Sequence, residues 1–233
     1  MQIEITETVA RKVLSVVDAG LSSGLGNPTP GNMCVEAAVC FALGLPHGDD
    51  PECVSPVLRS LKIRINDSTW SSKAARAKGL RRLAVAQLGS KDALDEKEFV
   101  RRVVEMAISV SVPQALRSAA STCKDAKHRQ AMLDAANRCE IEKSRASAQD
   151  ARTLTRAAAA YAYAAADAAA AADADANAAA NAYAYAYAAA NAAANAAVRD
   201  ESLATYCEAI VQILIEMKAP GCQWLPFTEL EAA

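Results

Sequence analysis

A tract of 41 residues, 157–197, holds 29 alanines and otherwise only Tyr, Asp and Asn. No other feature limits the fold as strongly. Alanine loses no side-chain entropy on entering a helix, and it buries little area. The tract therefore favours helix, with close helix contacts rather than large core side chains. One straight helix of this length would run about 60 Å. A compact chain of 233 residues is only about 45 Å across. The tract must break, protrude or pack with another subunit, and the asparagines near 176–181 are the expected breaking point. Asp173, Asn177, Asn181 and Tyr185 step by four, as do Tyr183, Tyr187, Asn191 and Asn195. These ladders wind along one side of a helix and leave an opposite side of nearly pure Ala. Such a side lets another helix backbone approach closely. A helix of this kind buries little area alone, so we expect a homo-oligomer.

Outside the tract, Leu, Ile and Val recur at helical spacing, which argues against wholesale disorder. Aromatics make up only 5% of the chain. The expected fold is an all-α, multi-helix globule with a long Ala-rich helical tract. Residues 1–150 read as a helical body and 151–233 as the tract plus a C-terminal helix, co-folded as one domain.

Helices are expected over 5–18, over 33–43 with Asn32 as N-cap and Gly44 as stop, and over 56–66 after Ser55-Pro56. Within the last of these, LKIRI also alternates like a strand. A helix over 73–88 is capped by Ser71 or Ser72 and closed by Gly89. Further helices are expected over 93–110, stopping before Pro113, over 114–150 with a break near 121–125, and over 201–218. Trp224 and Phe227 are expected to tuck the tail onto the body.

Between Arg59 and Arg82 lie eight basic residues, Arg59, Lys62, Arg64, Lys73, Arg76, Lys78, Arg81 and Arg82, opposed only by Asp67. The segment carries +7 and the rest of the chain −9, for a net −2. The overall balance disfavours nucleic acid as a partner. A basic patch on an acidic chain concentrates a small anion locally. Trp70, Ser71 and Ser72 stand at a helix start, where free N–H groups and the dipole favour an anion. Arg76 and Arg81 sit on the flanks of that helix's apolar face, where guanidinium forks can hold phosphates. Lys78 and Arg82 point away from it. The indole of Trp70 can stack a base. Arg59, Lys62, Arg64, Trp70, Ser71, Ser72, Arg76 and Arg81 are thus the expected ligand contacts of a non-catalytic, nucleotide-like anion binder. No Gly-rich phosphate loop accompanies them. The competing reading is a structural or protein-interaction module whose basic face is solvated.

Seven scattered cysteines, an odd number, do not make a secreted disulfide framework. They read as buried free thiols in a reducing cytoplasm. Cys34 near a helix start, followed by His47, Asp49 and Asp50, is the one nucleophile reading, a cysteine enzyme. Cys34, Cys40 and His47 lack the tight spacing of a structural zinc site, so no metal or cofactor is expected. The N-terminal MQIEITETVARK has no apolar signal-peptide core. Asp167, Asp173, Asp175 and four Asn make the Ala tract a poor membrane span, so no membrane partner is expected.

The blocks PGNMCVEAAVCFALGLPHGDDPECV and PVLRSLKIRINDSTWSSKAARAKGLRRLAVAQLGS occupy about residues 30–90. Together they resemble a group of uncharacterised phage and bacterial proteins with Ala/Tyr-rich tails. The resemblance implies a phage or bacterial origin. It brings no catalytic set with it. Phage proteins of this size include binders that sequester nucleotide immune signals in the host cytoplasm, which agrees with the anion-binding expectation.

Overall fold

The computed structural model describes residues 4–123, 126–155 and 196–229. Among them every regular element is helical. The one β feature is an isolated antiparallel bridge between Gly26 and Met33. The all-α expectation holds for the described residues. Most of the Ala tract, 157–195, lies outside them, so its expected break and its packing do too. No helix among the described residues is long and apolar enough to cross a membrane.

Two compact units divide the chain, one of residues 1–99 with 207–233, the other of 100–206. The first opens with α1 (Glu7–Asp18), whose Thr6 hydroxyl accepts the Val9 N–H. Ala10, Val13, Leu14 and Val17 form its buried stripe. Helix α2 (Val35–Leu43) starts later than its sequence suggested. Cys34, not Asn32, is its N-cap, and the Cys34 Sγ accepts the Ala37 N–H at 3.4 Å. The Asn32 side chain instead accepts from Lys73 Nζ at 2.6 Å. Gly44 ends α2 with φ +73°, a left-handed conformation that suits glycine.

Helix α3 (Pro56–Asn66) buries Val57, Leu58, Leu61, Lys62 and Ile65. This is a helical stripe, so the strand-like alternation of LKIRI is not used. Pro56 sits in the first turn, where a missing N–H costs nothing. Helix α4 (Lys73–Ala86) is capped by Ser72, whose Oγ accepts the Ala75 N–H at 3.0 Å. It packs against α1 and α2. The chain turns at Gly89, φ +72°. At the far end, the 3₁₀ segment Pro220–Thr228 lies along α4. Gly221 permits this, because a Cβ there would stand 2.4 Å from the Val85 carbonyl oxygen. Arg11 lies over the Phe227 ring at 4.1 Å, and Trp224 stacks on Phe227 with centroids 6.0 Å apart. The tail does tuck back onto this unit.

Helix α5 (Glu96–Met106) leads into the second unit. Pro113 does not stop it. A π-helical turn, Ala107–Ser111, follows directly, and α6 (Val112–Thr122) continues with Pro113 in its first turn. Widening the turn relieves the clash and the missing donor that Pro imposes on a regular helix. The expected break falls at Cys123, which is extended. Helix α7 (Ala126–Glu142) packs on α6 and on α8 (Arg145–Thr155). Ser144 Oγ accepts the Ser147 N–H at the start of α8. The small buried residues Ala135, Ala136, Cys139, Ala148 and Ala151 are consistent with close α7–α8 contact. Helix α9 (Ala196–Glu216) starts earlier than expected, at the end of the Ala tract.

Candidate functional site

The basic segment runs from the second turn of α3 to the last turns of α4; Lys62 and Arg76 are buried, Arg59, Arg81 and Arg82 half-buried, and Arg64, Lys73 and Lys78 exposed. Arg76 is 7% exposed. Its Nε donates to the Asn66 carbonyl at 2.7 Å, Nη1 to the Leu21 carbonyl at 2.9 Å, and Nη2 to the Ser68 carbonyl at 3.5 Å. One planar fork thus ties the loop after α1, the end of α3 and the body of α4. A guanidinium suits this because its donors lie in a fixed plane. Arg76, expected to flank a phosphate pocket, donates to backbone carbonyls of the core.

Trp70 is buried, and its indole N–H donates to the Ile65 carbonyl at 2.9 Å. The ring lies on Gly79 of α4, where a Cβ would come within 2.3 Å of it. A base-stacking face is therefore replaced by a helix-packing one. Arg81 forks onto Asp18 at 2.7 and 2.9 Å and donates to the Thr228 carbonyl at 2.5 Å. Arg82, expected to point away from the apolar face, pairs with Glu208 at 3.0 Å and reaches Thr228 and Glu229. Arg59 pairs with Asp50. Lys73 donates to the Gly31 carbonyl and to Asn32. Ser72 is the α4 cap already described. Arg64, Ser71 and Lys78 are exposed.

Lys62 departs furthest from a ligand-binding role. Its side chain is 0% exposed, and its Nζ lies 3.2 Å from Glu36 Oε1, itself 0% exposed. Burial pushes the Glu36 carboxyl up and the Lys62 ammonium down, and the attraction of each for the other opposes both shifts. Gln87, the C-cap residue of α4, also favours the charged carboxylate. The sequence reading missed Glu36 and Gln87. A signal existed: Lys62 falls on the stripe Leu58, Leu61, Ile65, and Glu36 is the one charged residue in the apolar run of α2. A lysine on a core stripe calls for a buried acid.

Beside this pair lies a cavity of about 30 Å³, lined among others by Gly24, Cys34, Glu36, Asn66 and Asp67. It has room for about one water. Cys34 is 4% exposed, and burial pushes its thiol up. A reactive cysteine needs the opposite, an accessible thiolate. The His47 ring is in hydrogen-bond contact with the Gly26 carbonyl at 3.2 Å. The structure thus gives Cys34 and His47 separate partners. Among the described residues, no group of three His, Cys, Asp or Glu side chains is placed to hold a metal ion. The described cysteines are free thiols.

No family model matches the chain, nor does any curated protein or solved structure.

Proposed function

We propose that this chain is a non-catalytic helical interaction module, with residues 59–82 as the internal frame of its first unit. One observation carries the reading: the Arg76 fork on three backbone carbonyls. A residue used this way organises a fold: it is 7% exposed, and each guanidinium nitrogen donates to a backbone carbonyl of its own unit. Arg59, Lys62, Lys73, Arg81 and Arg82 likewise meet partners within the same unit. The raised thiol of Cys34 supports the non-catalytic part. The Ala-rich composition of 157–197 supports a homo-oligomer as the assembled form.

The test is sedimentation velocity from about 1 to 100 µM alongside a thermal-shift screen against mono-, di- and cyclic nucleotides. The module reading expects self-association and no nucleotide-dependent rise in melting temperature. A monomer throughout, with a saturable nucleotide shift, overturns it.

A second reading remains, a binder of a small nucleotide-like anion that sequesters a bacterial immune signal. The exposure of Arg64, Ser71 and Lys78 favours it, since these polar groups of the basic segment face solvent. Here the nucleotide shift is expected, and Arg64→Ala or Lys78→Ala should weaken it. A shift indifferent to both variants counts against this site.

A further inference from the structure

We draw no further inference here: the strongest candidate, the small cavity between the loop after α1 and the buried Glu36–Lys62 pair, has room for about one water and belongs to the site already described.

Discussion

Lys62 and Glu36 show how much a single buried pair decides. Removing one partner leaves the other charge uncompensated in the core, so Lys62→Met alone should cost about 3–5 kcal/mol. Replacing both, as Glu36→Leu with Lys62→Met, should recover most of that loss or exceed wild type. Urea denaturation of the two single variants and the double variant measures the cycle. If the double variant is as unstable as the singles added together, the two side chains are not coupled. Arg76→Met should cost about 3 kcal/mol, because it removes buried hydrogen bonds to the Asn66 and Leu21 carbonyls. The thiols give a pH dependence. Cys40 and Cys207 are pushed up to about 12 from an ordinary 9.0, mainly by burial. Above pH 9 the unfolded thiols ionise while the folded ones stay protonated. Unfolding then releases protons, so stability falls as pH rises from about 9 towards 12. Cys207→Ala should flatten that slope in melts taken at successive pH values.

Among the elements, α4 is the one on which the first unit is assembled. Trp70 closes over it at Gly79 and the C-terminal 3₁₀ segment closes over it at Gly221. Both contacts depend on the missing Cβ. Gly79→Ala forces the indole aside and should cost about 1–3 kcal/mol by overpacking. At Gly221 the obstacles are backbone atoms, the Val85 and Ala86 carbonyl oxygens and the Leu88 nitrogen, which cannot swing away. Gly221→Ala should therefore release the segment locally. Hydrogen exchange should show faster exchange at residues 222–228 with little change in α1 and α2. Unchanged protection there would mean the segment is held by Arg81 and Arg11 without the glycine contact. The π turn at Ala107–Ser111 is the counterpart in the second unit, where a helix passes a proline by widening.

For the whole molecule, composition and contacts point to different parts of the chain. The composition of the Ala tract motivates the proposed oligomer, and the basic segment ties together the first unit. Arg81→Ala separates the functional readings. It breaks the fork onto Asp18 and should lower stability by about 1 kcal/mol, discounted because Asp18 is part-exposed. Under the module reading that loss is identical with and without added nucleotide. A variant of unchanged stability that has lost a nucleotide-dependent thermal shift would instead make Arg81 a ligand contact.

Helix type, most caps and the apolar stripes of α1, α3 and α4 were legible in the sequence, because they follow from 3.6-residue periodicity and local hydrogen bonding. So was the tail's return, from two aromatics after a proline-glycine stop. The partner of each charged side chain was not legible. Arg76 and Lys62 carry the same sequence signal as a solvated or ligand-binding basic residue. What distinguishes them is contact with Leu21, Asn66 and Glu36, residues 10 to 55 positions away. The sequence by itself determined an all-helical chain with a concentrated basic segment. Only the tertiary structure decided which of these charges are buried and paired, Lys62 and Arg76 above all, because desolvation and pairing depend on which helices meet.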